Sequence, residues 1–233
     1  MLKVEQIETF YGSSQALFGV SLEVRAGEVV TLLGRNGMGK STTIKAIMGL
    51  TPVTRGRITF NDVEIQRLPS YQVARQGLGL VPEGRQIFPN LTVLENIMVG
   101  AANRGGRKEP YTLDEVLEIF PRLAERLKNY GNQLSGGEQQ MLAVVRALMT
   151  TPKLLILDEA TEGLAPLVRK EIWYGLSVLK ARGQSILVID KNLDALMKLA
   201  DRHYVMERGA VVWSGETDEI ADNEELKARY LGV

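Results

Sequence analysis

The sequence predicts an α/β chain: a mostly parallel core sheet, with helices inserted between about Glu83 and Ser135. Three observations carry this. Several apolar runs are unbroken rather than alternating, as buried parallel strands require. Strand-like and helix-like segments alternate along both ends of the chain. One strand runs into a helix through a glycine-rich loop.

The elements follow in order. Val29–Leu33 (VVTLL) is a buried strand ending at Gly34. Ser41–Leu50 follows as a helix, with Ile44, Ile47 and Met48 at helical spacing and Gly49 near its stop. Arg57–Ile65 alternates around Asn61-Asp62 and reads as a hairpin. Leu78–Val81 is a short strand closed by Pro82. Asp114–Leu127 is predicted as one helix, with Val116, Leu117, Phe120 and Leu123 on one face. Glu138–Met149 is another, carrying Met141, Leu142, Val145 and Leu148. Lys153–Leu157 and Ser185–Ile189 are strands joined by the crossover helix Pro166–Lys180. Tyr204–Glu207 and Ala210–Ser214 flank Arg208-Gly209 as a hairpin, and Glu224–Tyr230 is a short polar terminal helix. Ala102–Pro110 is polar and glycine-rich, an exposed loop inside the insertion.

Composition excludes several functions. The chain has 28 Lys+Arg against 28 Asp+Glu, so the basic excess of a generic nucleic-acid binder is missing. With no cysteine there is no disulfide scaffold, thiolate metal site or thiol nucleophile. The one histidine, His203, lies outside every motif and is expected at the surface or partly packed. No stretch approaches the roughly 18 apolar residues of a spanning helix. The opening MLKVEQIETFYG lacks the apolar segment of a secretory signal, so the expectation is a cytosolic chain. Glycine, at 23 residues, is about 10% of the chain against a usual share of roughly 7%.

Gly34-Arg35-Asn36-Gly37-Met38-Gly39-Lys40-Ser41 matches the phosphate-loop pattern between strand and helix. Glycines let the loop curl so that backbone N–H groups converge on an anion. The following helix adds its positive end. Lys40 supplies a point charge for the β/γ-phosphates and Ser41 a hydroxyl for Mg²⁺.

Leu154–Leu157 runs into Asp158 and Glu159. Ligands of open α/β sheets lie at the carboxyl ends of strands. There Asp158 reaches Mg²⁺, directly or through water, and Glu159 polarises an attacking water as general base. Leu134-Ser135-Gly136-Gly137-Glu138-Gln139-Gln140 precedes a helix. It reads both as a Ser135/Glu138 capping box and as a second anion site at a helix N-terminus.

These motifs, in this order and over essentially the whole chain, resemble the nucleotide-binding domain of ATP-binding-cassette (ABC) transporters. GRNGMGKST, VPEGRQIFPNLTVLEN, LSGGEQQ, DEATEGLAP and the closing ARYLG are similar to the LivF type, one of two ATPase subunits of branched-chain amino-acid importers. The resemblance implies a P-loop NTPase fold in a single domain, 1–233. Residues 1–83 and 133–233 form the catalytic core, with an antiparallel β subdomain; about 84–132 form a helical insertion. ATP and Mg²⁺ are the implied cofactors. Tyr11 matches the aromatic that stacks on adenine; Asn36, Gly37, Gly39, Lys40, Ser41 and Thr42 match the phosphate loop. Ser135, Gly136 and Gly137 match the signature that closes over the γ-phosphate bound to the opposite subunit, and Ala160–Leu164 the loop that crosses the dimer interface. Ser41, Asp158 and Glu83 are the implied metal ligands, and Glu159, Glu83 and Lys191 the implied catalytic set.

Implied partners are a second ABC ATPase subunit (a LivG-like chain or an identical copy), two transmembrane permeases and, indirectly, a periplasmic binding protein. The implied location is peripheral, on the cytoplasmic face of the inner membrane. Ile87, Phe88, Leu91, Val93, Leu94, Ile97 and Met98 supply a permease groove or, for at least half of them, the insertion's own core. Two positions depart from the wider family. Glu83 stands where most members have Gln, and Lys191 where most have a switch histidine. Lysine has donors but no acceptor, so it holds a phosphate charge yet relays no proton as imidazole does. A urea or lipopolysaccharide transporter subunit, a non-transport ABC ATPase and a nucleotide-binding module without turnover stay as alternatives.

Overall fold

The computed structural model describes residues 1–221. The Glu224–Tyr230 helix expected at the terminus lies outside the described residues. The chain opens with an antiparallel pair, β1 (Leu2–Tyr11) and β2 (Ser14–Val24), then β3 (Val29–Leu33) and α1 (Lys40–Ile47). The hairpin β4 (Arg55–Phe60) and β5 (Val63–Glu64) precedes α2 (Ser70–Arg75) and β6 (Leu78–Val81). Next come α3 (Val93–Val99), α4 (Leu113–Ile119), α5 (Pro121–Ala124) and α6 (Gly136–Leu148). The rest is β7 (Leu154–Asp158), α7 (Pro166–Ala181), β8 (Ser185–Ile189), α8 (Leu193–Leu199), β9 (Arg202–Glu207), β10 (Ala210–Glu216) and α9 (Thr217–Ala221).

One sheet has six strands in the order β10-β9-β3-β8-β7-β6. Its neighbours from β9 to β6 pair in parallel, and β10 adds an antiparallel edge. A second, antiparallel sheet has the order β2-β1-β4-β5. The unbroken apolar runs are explained by two cores. Val29 and Leu33, Leu155 and Leu157, Ile186 and Val188 face the helices α6, α7 and α8. Their alternates Val30 and Leu32, Leu154 and Ile156, Leu187 and Ile189 face α1 and the antiparallel sheet. Both faces are covered, so neither has a polar period.

The single helix expected over Asp114–Leu127 is instead two. Phe120, at φ −125° and ψ 67°, breaks it before Pro121, which starts α5 at its first position. The residue before a proline is pushed out of the α region. The apolar face survives the break: Val116, Phe120 and Leu123 stay buried. Ala102–Pro110 is irregular and mostly exposed, but it is pinned: the Ala102, Arg104 and Gly105 N–H groups donate to the carbonyls of Met149, Thr150 and Thr151.

His203 corrects the surface expectation. It lies on β9 fully buried, its Nδ1 2.6 Å from Thr31 Oγ1 and its Nε2 2.9 Å from Thr217 Oγ1. Thr217 already donates to the Ala200 carbonyl. Its oxygen therefore accepts from Nε2–H, leaving Nδ1 to accept from Thr31. Both nitrogens of a neutral ring are satisfied.

Candidate functional site

The carboxyl ends of β3, β8, β7 and β6 lie side by side, as the strand order requires. The loop between β3 and α1 opens there. Gly39, the residue preceding α1, has φ +98°, and a Cβ on it would stand 3.0 Å from Leu17 Cδ2 and 3.2 Å from Gly209 Cα. Only glycine takes that turn so close to β2 and the β9–β10 connection. Lys40 folds back over the loop: its Nζ donates to the carbonyls of Gly34 (2.8 Å) and Arg35 (2.9 Å). Burial pushes the Lys40 ammonium below its ordinary pKa, opposed by the charges of Glu159 and Asp158.

A cavity of about 650 Å³ opens over this loop, lined by Asn36, Gly37, Gly39, Lys40, Ser41 and Thr42, with Glu83, Glu159 and Glu162 on its acidic side and Phe18, Gln15 and Arg208 beyond. An adjoining cavity of about 280 Å³ shares Asn36, Lys40 and Glu159 and adds Asp190 and Lys191. The phosphate-loop residues, Glu83, Glu159 and Lys191 are therefore brought together around one pair of cavities.

Asp158, the last residue of β7, is buried and accepts a hydrogen bond from Ser41 Oγ at 3.0 Å. Burial raises its pKa, against the lowering effect of that bond. Glu159 turns the chain off the strand at φ +54°, a left-handed step that costs a non-glycine residue on the order of 1–2 kcal/mol. Its N–H donates to the Ile189 carbonyl at 2.9 Å. The Glu159 carboxyl stands against that of Glu162; this contact, then burial, then the Glu162 charge, raise its pKa to about 7. Glu162 moves the other way, lowered first by its contact with Glu159 and next by its bond to Lys191. Lys191 Nζ is paired to Glu162 Oε1 and is half-exposed. The same loop is stitched to β8 a second time: Thr161 N and Oγ1 both donate to Asp190 Oδ2, at 2.9 and 2.7 Å.

Neither Glu162 nor Asp190 was singled out from the sequence. The available signal was an acidic residue three positions beyond Glu159, with an unmatched lysine at the end of another strand.

Ser135 precedes α6, accepting from Glu138 N at 3.3 Å while Glu138 Oε2 accepts from Ser135 N at 2.8 Å. The expected capping box is therefore formed. Gly136 lies against the Arg85 guanidinium, and a Cβ on Gly137 would overlap the Val168 side chain of α7. None of Ser135, Gly136 or Gly137 lines the phosphate-loop cavity of the same chain. Tyr11 is outside that lining too; half-exposed, its hydroxyl bonds the side chains of Thr42 and Thr51, which lower its pKa.

Of the seven apolar residues considered for a groove, Val93 and Ile97 are fully buried in the core, while Phe88, Leu94 and Met98 are exposed. A groove of about 530 Å³ is lined by Met48, Leu80, Phe88, Val99 and Arg146. Arg146 stacks 5.1 Å over the Phe88 ring and donates from Nη2 to the Gln86 carbonyl at 2.6 Å.

A glycine-rich anion loop opening a helix, beside an acidic strand end, defines a P-loop nucleotide-binding cassette. A family model described as ABC transporter matches residues 17–162. The chain is 41% identical to the high-affinity branched-chain amino acid transport ATP-binding protein BraG of Pseudomonas aeruginosa, each covered in full. It is 32% identical to the lipopolysaccharide export system ATP-binding protein LptB of Haemophilus influenzae, over the whole chain and 97% of that protein. Among solved structures it resembles an ABC-transporter cassette in its ADP conformation, with TM-score 0.80 and 29% identity over 97% of this chain and 96% of that one. The chain belongs to the ABC transporter family, as an ATP-binding cassette and ATPase. Cassettes of this family bind nucleotide, dimerise and work with transmembrane permeases. Among the described residues no helix is long and apolar enough to cross a membrane.

Proposed function

We propose that this chain is the ATP-hydrolysing subunit of an importer for branched-chain amino acids, acting through partner permeases at the cytoplasmic face of the inner membrane. The observation that carries the substrate class is the full-length match to BraG. The LptB match extends as far at lower identity and favours lipopolysaccharide export as the second reading.

The phosphate-loop N–H groups, the α1 N-terminus and Lys40 take the β- and γ-phosphates; Asn36, Gly37, Gly39 and Thr42 shape and line that cradle. Tyr11 carries the adenine on its exposed ring. Ser41 and Asp158, already 3.0 Å apart, are hard oxygen donors suited to Mg²⁺, with Glu83 across the cavity as a third. Magnesium ordinarily completes its shell with water and substrate phosphate rather than an all-protein cage. When bound it neutralises phosphate charge. Glu159 takes the proton of the attacking water. Lys191, paired to Glu162, sets positive charge beside the two carboxyls rather than on the nucleotide itself.

Ser135, Gly136 and Gly137 lie outside their own chain's cavity, which supports their serving the nucleotide of a second subunit, LivG-like or identical. The Phe88 groove, between the 84–132 helical insertion, α6 and the core around Met48 and Leu80, receives a permease segment.

The test is transport. Membrane vesicles holding the assembled complex, loaded with ATP, should accumulate radiolabelled leucine and valine when the binding protein is supplied. Uptake of urea instead, or ATP-driven extraction of lipopolysaccharide, would overturn the substrate assignment.

A further inference from the structure

We propose that Glu162 is a positioning residue for Glu159, held in place by its ion pair with Lys191. The inference rests on Glu159 being the base. Three side chains from two separate loops form one chain of contacts. Glu159 follows β7, Glu162 lies in the loop beyond it, and Lys191 follows β8. The Glu159 carboxyl stands against that of Glu162 on the wall of one cavity, and Glu162 accepts from the Lys191 ammonium. The backbone under them is fixed. Glu159 N is tied to Ile189, and Thr161 is tied twice to Asp190, the residue before Lys191. Both glutamates line the phosphate-loop cavity, and Lys191 lines the adjoining one with Glu159 and Lys40.

This is the logic of a base oriented by a third group. A carboxyl that has taken a proton from water is a donor, and Glu162 is the acceptor that aims it. Without a counter-charge, a second carboxylate so close would repel the first. Lys191 supplies that charge, so the lysine at the position of a switch histidine acts through Glu162. The loop carrying Glu162 thereby reports its position to the base.

The test is a double-mutant cycle on the full-length ATPase, with Glu162→Gln, Lys191→Met and both together. Steady-state hydrolysis and melting temperature are measured for each. Expected are losses of about tenfold in kcat for each single variant, the size typical of partners that orient a reacting group. The KM for ATP and the melting temperature should hold, the double variant should be no worse than the worse single, and Lys191→Arg should restore most of the rate. Unchanged kcat in Glu162→Gln, or losses that multiply in the double variant, would overturn the proposal. So would a raised KM in Lys191→Met that Glu162→Gln does not share, since that lysine would then act on nucleotide directly. Glu159→Gln is assayed alongside. If it still turns over, the assignment of the base fails; if it alone loses activity, only the role of Glu162 fails.

Discussion

At the scale of single residues, burial separates what the sequence disclosed from what it hid. Gly39, Lys40 and Ser41, and separately Asp158 and Glu159, were legible because each group's chemistry needs fixed spacing along its own stretch of chain. His203 was not, because its partners Thr31 and Thr217 are far away in sequence. Burial lowers its pKa to about 4 from an ordinary 6.5. Above pH 6.5 the folded and unfolded chains both hold a neutral ring. Between about 6.5 and 4 only the unfolded chain takes up the proton. Stability should therefore fall through that window by on the order of 3 kcal/mol, and no further from this group below it. Urea midpoints for the natural chain and His203→Gln from pH 7 to 4.5 should show the smaller acid loss in the variant. The chain has one histidine, so its imidazole signals are identified without further variants and should not titrate above pH 5. A ring titrating near 6.5 would contradict the buried pair of hydrogen bonds.

At the scale of elements, the core strands were readable because covered faces leave uninterrupted apolar runs. The N-terminal strand β1 was not. Its pairing with β2 slips between Val4 and Ile7, where Gln6 takes φ +49° and stands exposed with Glu5. A bulge destroys the period that marks a half-buried strand. The α4–α5 break was visible in Pro121 but masked by an apolar face that continues across it. Helix α3 carried its own mark, a Thr92/Glu95 capping box. The signature glycines acquire a second reason at this scale, since Gly137 is where α6 and α7 approach. Gly137→Ala should cost about 1–3 kcal/mol by overpacking against Val168, seen as a lowered melting temperature. Val168→Ala in the same chain should recover part of it. A full-stability Gly137→Ala would show that the two helices have room.

At the scale of the whole molecule, two features divide the site. The phosphate loop and the acidic strand end share one pair of cavities, while Ser135 at the start of α6 serves neither. The order of motifs made the family legible from sequence. That Ser135 stands apart from the phosphate loop is a property of how α6 is set against the sheet, and no linear spacing states it. The proposed function has Glu159 performing hydrolysis in a dimer closed over ATP. Its most direct test compares the natural chain with Glu159→Gln in ATP and Mg²⁺, measuring phosphate release and molecular mass by light scattering together. The natural chain should turn ATP over. The variant should retain ATP, form a stable dimer and release phosphate at least about a hundredfold more slowly. Phosphate release at the natural rate from Glu159→Gln, with no accumulation of dimer, would rule Glu159 out as the base.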